Sequence, residues 1–148
     1  MKKSINIQIV MWIATTLLAS VFCSIALPHE KTVGNITIVH PRLIVASPDA
    51  GTGYLATTIV NRSVETETLQ AVYSSEARKI LIEGNGKQAF VSIPGNGTRR
   101  TDSDGISVKF HGLRGPHIEE TWIRLVLLFK RAGEVAVDAV VQIYSARK

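Results

Sequence analysis

The clearest pattern in the chain is an alternation of apolar and polar residues near its C-terminal end. The apolar positions there share one side of an extended strand: Val135, Val137, Ala139, Val141 and Ile143. Asp138 and Gln142 fall on the opposite side. A second apolar run covers residues 122–130, and the segment between the two runs contains Gly133, a residue suited to a positive φ angle. This pattern predicts a closing β-hairpin.

Shorter β-branched runs precede this hairpin and are separated by turn-forming residues. They cover residues 35–40, 53–60, 66–73, 78–82, 89–93 and 106–110. All four prolines of this region fall between the predicted runs, where the missing N–H removes no hydrogen bond between strands: Pro41, Pro48, Pro94 and Pro116. About eight strands without a helical period or an internal repeat predict one all-β domain, an antiparallel β-sandwich or barrel.

The first 26 residues have the pattern of an export signal. Lys2 and Lys3 precede an uncharged, mostly apolar stretch over residues 5–22, and Ser24 and Ala26 occupy the small-residue positions of a cleavage site. We therefore predict a signal peptide over residues 1–26 and a mature domain over 27–148, periplasmic or secreted. The alternative is a retained membrane anchor, because the apolar stretch is close to the shortest length that spans a bilayer.

Composition excludes several classes of protein. The chain is 45% hydrophobic and 20% charged, which is too apolar for a disordered chain. Its few sulfur atoms belong to Met1, Met11 and Cys23, so the predicted mature domain contains no thiolate or thioether metal ligand. Its basic excess is mild and scattered, and Arg99 and Arg100 are followed by Asp102 and Asp104. We therefore expect no nucleic-acid partner, and membrane contact only during export.

Several segments together resemble the periplasmic copper chaperones of the PCu(A)C family, also written PCuAC. The segments are His40-Pro41-Arg42, GTGYLATTIVN at 51–61, VSIPGNGT at 91–98, His111-Gly112-Leu113 and LVLLFKRAGEVAVDAVV at 125–141. The resemblance covers residues 33–146. It implies a cupredoxin-like β-sandwich and a role in copper delivery to respiratory oxidase assembly.

The family's Cu(I) site does not carry over to this sequence. That site uses a histidine at a strand end, methionines in the following loop, and a His-x-Met pair on a later strand. The corresponding positions are Ile82, residues 85–88, Ser107 and Lys109, and none provides an imidazole or a sulfur. Lys109 would also place an ammonium group where a cation should bind, at a cost of about 1 kcal/mol even when well screened. We expect a degenerate metal site and no bound cofactor. Copper is the cofactor that the resemblance leaves open.

The remaining histidines provide only weak candidate ligands. His40 precedes Pro41 and is interpreted as a structural residue at a strand end. In residues 106–111, alternation places Ser107, Lys109 and His111 on one face, and His117 follows after a short turn. His111 and His117 are therefore either ordinary surface histidines or a weak Cu(II) or Zn(II) pair, which would need a third ligand.

Two clusters could suggest catalysis, Ser74-Ser75-Glu76 and Asp102-Ser103-Asp104. Both fall in turn-like segments, where such side chains usually bind nearby backbone groups, so we predict that the protein is not an enzyme. Two functions remain. The first is an exported copper-chaperone-like protein that has lost the Cu(I) site, with copper or a periplasmic or inner-membrane protein as partner. The second is a metal-independent binding or scaffold module on the same fold.

Overall fold

The computed structural model describes residues 30–84, 87–103 and 105–144. The predicted signal peptide of residues 1–26 lies outside the described residues. The described part of the chain is built from eleven strands: β1 (Glu30–Val33), β2 (Ile36–Val45), β3 (Thr52–Asn61), β4 (Glu67–Tyr73), β5 (Ala77–Gly84), β6 (Lys87–Gln88), β7 (Val91–Ile93), β8 (Gly97–Arg100), β9 (Ile106–Leu113), β10 (Trp122–Phe129) and β11 (Gly133–Ile143). Within it, no helix is long and apolar enough to cross a membrane.

The strands form one sheet that curls around a single core. Its order is β6-β5-β9-β3-β2-β11-β10-β4-β7, with β1 paired to β2 and β8 paired to β3. Strands β4 and β5 lie far apart in this order but contact each other, so the sheet is nearly closed. Every pair is antiparallel except β2 with β11, a parallel pairing that the predicted antiparallel sandwich did not include. The all-β prediction is confirmed.

The predicted closing hairpin is present. Strands β10 and β11 pair from Trp122 with Val140 to Phe129 with Gly133, whose φ is +75°. The apolar side of β11 is buried from Val135 to Val141, and the polar side is exposed. Their apolar side chains join those of the other strands in one core, whose largest fully buried members include Phe110, Phe129, Leu43 and Leu55.

Strand β2 differs from the prediction at its proline. Pro41 is not between strands, because β2 continues through it from Ile36 to Val45. The pairing of β2 with β3 shifts register between Val39 and Arg42, and His40 takes a φ of +47° in this bulge. A bulge tolerates a residue without an N–H, which explains how the strand accommodates Pro41. The expectation that His40 marks a strand end is therefore wrong.

Two of the segments that carry the family resemblance meet at Asn61. This side chain is buried, and its Nδ2 donates to the carbonyl oxygens of Glu65 at 2.7 Å and Pro94 at 3.2 Å. Its Oδ1 accepts from the Ser63 amide at 3.0 Å. The turn after Pro94 is further fixed by the Asn96 amide, which donates to the Ser63 carbonyl at 2.7 Å. One asparagine therefore holds the end of β3 against the β7–β8 turn.

Candidate functional site

Three of the positions where the resemblance implies copper ligands, Ile82, Ser107 and Lys109, lie on the paired strands β5 and β9, whereas residues 85 and 86 of the implied ligand loop lie outside the described residues. Ile82 is opposite Val108, and Glu83 is opposite Ser107. Ile82 and Val108 are both buried in the core. Because neighbouring residues of a strand point to opposite faces, Glu83 shares the outward face with Ser107. The outward neighbour of the predicted histidine position is therefore a carboxylate.

Glu83 forms an ion pair with Lys109 on this outward face. The distance between Lys109 Nζ and Glu83 Oε2 is 2.7 Å, and the two side chains are 48% and 21% exposed. Lys109 is two residues from Ser107 on β9, so both positions of the family's His-x-Met pair face outward as the alternation predicted. The chain's own ammonium group thus neutralises the carboxylate at this place.

His111 lies one step further along the same face of β9. It is directly opposite Thr52 on β3 and Lys79 on β5. Its imidazole is half-buried, and its Nε2 atom is enclosed without a hydrogen-bond partner in the described part of the chain. Leaving a buried polar atom without a partner costs about 1–3 kcal/mol. Such an atom calls for an explanation, and a ligand is one.

His117 has different surroundings from His111. Its side chain is 7% exposed, and its Nε2 lies 3.0 Å from the carbonyl oxygen of Ala50. Because a carbonyl oxygen only accepts, this Nε2 carries a proton and donates to it. The backbone amide of His117 donates to the Pro48 carbonyl at 2.7 Å. These bonds tie His117 to the loop before β3.

A cleft of about 600 Å³ opens on the outward face beside His111. Two cross-strand rows form its wall, Ile44–Tyr54–Lys109 across β2, β3 and β9, and Thr52–His111 across β3 and β9. Tyr144 closes one side, since its amide donates to the Val45 carbonyl at 2.7 Å just after β11 ends. The remaining lining residues are Val45, Ala46, Gly53, Ser107 and Phe110.

The residues that build this cleft come from four separate parts of the sequence. Glu83, Tyr54 and Tyr144 were not predicted as site residues. Alternation along β9 placed Lys109 on a defined side of its strand, whereas the predicted strand over residues 78–82 ended before Glu83. The missing information was the register that brings the two strands together.

The two polar clusters that could suggest catalysis are engaged in local structure. Ser74 Oγ accepts from the Glu76 amide at 3.2 Å, as in a serine turn. Asp102 accepts two hydrogen bonds from the Arg100 guanidinium, at 3.0 and 2.9 Å, and this contact lowers the pKa of its carboxyl group. Asp104 lies outside the described residues.

Carboxylate, imidazole and thiolate groups do not gather into a metal centre in the described ranges 30–84, 87–103 and 105–144. No group of three or more His, Cys, Asp or Glu side chains there is arranged to hold an ion. His111 and Glu83 lie on the same outward face, but Lys79 stands directly opposite His111 and Lys109 holds Glu83. The ammonium group beside Glu83 opposes a cation there.

Solved structures with the same fold include PCuAC domains. The copper-bound PCuAC domain from PmoF2 is 24% identical with a TM-score of 0.72, and the match covers 78% of this chain and 99% of that one. The apo PCuAC domain from PmoF1 is 22% identical with a TM-score of 0.73, over 78% of this chain and 100% of that one. The Cu(I) form of DR1885 from Deinococcus radiodurans is 18% identical with a TM-score of 0.62, over 79% of this chain and 83% of that one.

No protein-family model matches the sequence, and no curated protein matches it. The structural matches nevertheless span nearly the whole described domain and the full length of the PmoF domains. They confirm the fold that the sequence motifs predicted. The chain has the cupredoxin-like fold of the PCuAC domains.

Proposed function

We propose that this chain is an exported, copper-chaperone-like domain that has lost the Cu(I) site of its fold relatives and serves as a metal-independent binding module. The observation that carries this proposal is the ion pair between Glu83 and Lys109. It occupies the outward face of β5 and β9, where the resemblance places the His-x-Met pair. A cuprous ion there would have to displace an ammonium group from its carboxylate.

The chemistry of Cu(I) supports the same conclusion. Cu(I) favours thioether and thiolate sulfur, and the sequence has no sulfur after Cys23. An imidazole can hold copper, but Ser107 and Lys109 provide neither an imidazole nor a thioether. The domain has kept the fold without the donors that give a chaperone of this type its affinity for Cu(I).

A competition assay tests the loss of the site. The exported protein is mixed with Cu(I) held by bicinchoninate, and the absorbance of the chelator complex is followed as protein is added. We expect the absorbance to stay unchanged. A matched variant, Glu83→His/Ser107→His/Lys109→Met, restores imidazole and thioether groups on the outward face and should remove copper from the chelator. Uptake of one tightly held Cu(I) by the natural protein would overturn the proposal.

A second candidate function is copper handling through imidazole, which the unpartnered Nε2 of His111 favours. Under this alternative, titration with Cu(II) gives micromolar uptake that His111→Ala/His117→Ala removes. This variant tests the imidazole groups alone, because it leaves Glu83 and Lys109 in place. Absence of Cu(II) uptake by the natural protein would leave the metal-independent function.

Export is the part of the proposal that rests on the N-terminal sequence. Residues 1–26 have the charge, apolar stretch and small-residue positions of a signal peptide, and we propose a periplasmic or secreted protein with a periplasmic or inner-membrane protein partner. The mass of the protein recovered from the periplasm tests this. Cleavage after Ala26 gives a product beginning at Leu27, whereas a full-length product in the membrane fraction identifies an anchor.

A further inference from the structure

We propose that the cleft beside His111 binds a small carboxylic acid with an apolar body. This inference rests on the proposed metal-independent binding function and names its ligand class. The apolar part of the cleft would hold the body of the ligand, and Lys109 and His111 would bind its carboxylate.

The cleft has the size and lining of a small-molecule site. Its volume of about 600 Å³ lies within the range usual for such sites. Ile44, which is 7% exposed and lies opposite Tyr54, gives it an apolar wall. Tyr54 and Tyr144 stand at its edge and are 41% and 67% exposed. Two exposed aromatic rings beside an apolar wall can cover the apolar body of a ligand.

Gly53 allows β2 and β3 to approach each other closely at the cleft. A Cβ atom at this position would lie 2.7 Å from the Ile44 carbonyl oxygen and 3.0 Å from Val45 Cγ1. Any other residue would therefore push β3 away from β2 at the cleft. The close approach of the two strands positions Tyr54 directly opposite Ile44.

The polar end of the cleft has hydrogen-bond donors without protein acceptors. His111 lines the cleft, and its Nε2 is enclosed and unpartnered in the described structure. Rotation of the imidazole about its Cβ–Cγ bond would turn this nitrogen toward a ligand oxygen. Lys109 has three N–H donors, and its contact with Glu83 at 2.7 Å occupies one of them. A ligand carboxylate could accept from both side chains.

The charge at this end favours an anion. Lys109 lines the cleft, and Lys79 is directly opposite His111 on the same face of the sheet. Glu83 is the acidic group paired with Lys109. Two lysines and one glutamate on this outward face leave a net positive charge, which attracts a carboxylate and repels an alkylammonium group. The complementary ligand is therefore an acid with an apolar body.

Three eight-carbon probes test the ligand class by isothermal titration of the exported protein. They are octanoate, octanamide and octylamine, which share an apolar body and differ in the charge of the head group. We expect octanoate to saturate one site and octanamide to bind about fivefold more weakly, the upper end of what one exposed charge contact contributes. Octylamine should not bind. Equal binding of octanoate and octanamide, or no saturation by octanoate, would overturn the inference.

Variants locate the site. Lys109→Gln should weaken octanoate binding by about fivefold and leave octanamide binding unchanged, because only the charge contact is lost. His111→Phe should weaken octanoate binding as well. Lys130→Gln removes an exposed lysine outside the cleft and is the matched control, with no expected effect. Unfolding curves confirm that each variant is folded. If Lys109→Gln and Lys130→Gln both bind octanoate as the natural protein does, the carboxylate is not held where we propose.

The result is independent of the copper assay. Absence of octanoate binding together with absence of Cu(I) uptake would refute only the ligand class. Tight Cu(I) uptake would refute the proposed function on which this inference rests, whatever octanoate does.

Discussion

Replacement of Glu67 by alanine should destabilise the domain far more than replacement of an exposed acidic residue. Glu67 begins β4 and is 4% exposed. Its carboxylate accepts three backbone hydrogen bonds, from Thr68 at 2.8 Å, Arg131 at 3.0 Å and Ala132 at 2.9 Å. Two of these donors belong to the turn between β10 and β11, so one side chain joins the closing hairpin to β4.

The magnitude follows from these three bonds. A hydrogen bond to a charged group contributes about 1.5–3 kcal/mol. In the variant, water can bond to the freed amides of a surface turn, which recovers part of the lost free energy. We therefore expect Glu67→Ala to lower the free energy of unfolding by about 3 kcal/mol. Glu67→Gln keeps one acceptor oxygen and should lose about half as much. For a domain of this size, about 3 kcal/mol corresponds to a fall in Tm of about 12 °C.

Urea unfolding followed by tryptophan fluorescence and far-ultraviolet circular dichroism measures the change. Trp122 is the single tryptophan after the predicted cleavage site, so the fluorescence reports on β10. Glu65→Gln is the control, since Glu65 is an exposed partner of the Arg131 side chain and should contribute less than about 1 kcal/mol. If Glu67→Ala costs no more than Glu65→Gln, the carboxylate does not hold the hairpin.

Three further predictions concern single residues. Gly53→Ala should lower the free energy of unfolding by at least about 2 kcal/mol, measured by urea unfolding, because its Cβ would lie 2.7 Å from the Ile44 carbonyl oxygen. Gly133→Ala should cost about 1 kcal/mol in the same assay, because φ is +75° there although the space is open; an unchanged midpoint would contradict this. The Arg100 guanidinium lowers the pKa of Asp102, so its ionised form stabilises the fold above about pH 4 and this contribution is lost as the pH falls through the lowered pKa. Asp102→Asn should therefore be less stable than the natural protein at about pH 6 and equal to it at about pH 2, and a difference that persists in acid would refute the assignment.

Much of the fold could be predicted because local patterns determine it. The hairpin of β10 and β11 follows from period-two alternation and from a glycine in the turn, and both are visible in the sequence. Strands β1, β6 and β8 were not predicted, since the first is exposed, the second has only two residues and the third begins at a Pro-Gly-Asn-Gly turn. The bulge at His40 was missed for another reason, because Pro41 usually ends a strand and only the register with β3 shows that β2 continues.

The candidate site was predictable to a smaller extent. Alternation placed Ser107, Lys109 and His111 on one face, and the structure places them so. The partners of these residues come from other strands: Glu83 pairs with Lys109, and Tyr54 and Tyr144 flank the cleft. A cleft depends on the register of strands distant in sequence, and alternation within each strand does not fix that register.

The faces of β5 and β9 explain how a domain can keep this fold and change what it binds. Ile82, Val108 and Phe110 face the core, so replacing any of them by a ligand residue would cost the packing that holds the sheet together. Ser107 and Lys109 face outward, where a substitution changes the surface and leaves the core intact. Ligands on the outward positions can therefore be exchanged without loss of the fold. The cleft lies on the same outward face. Replacement of a metal site by the proposed anion site would therefore be a local change of surface residues.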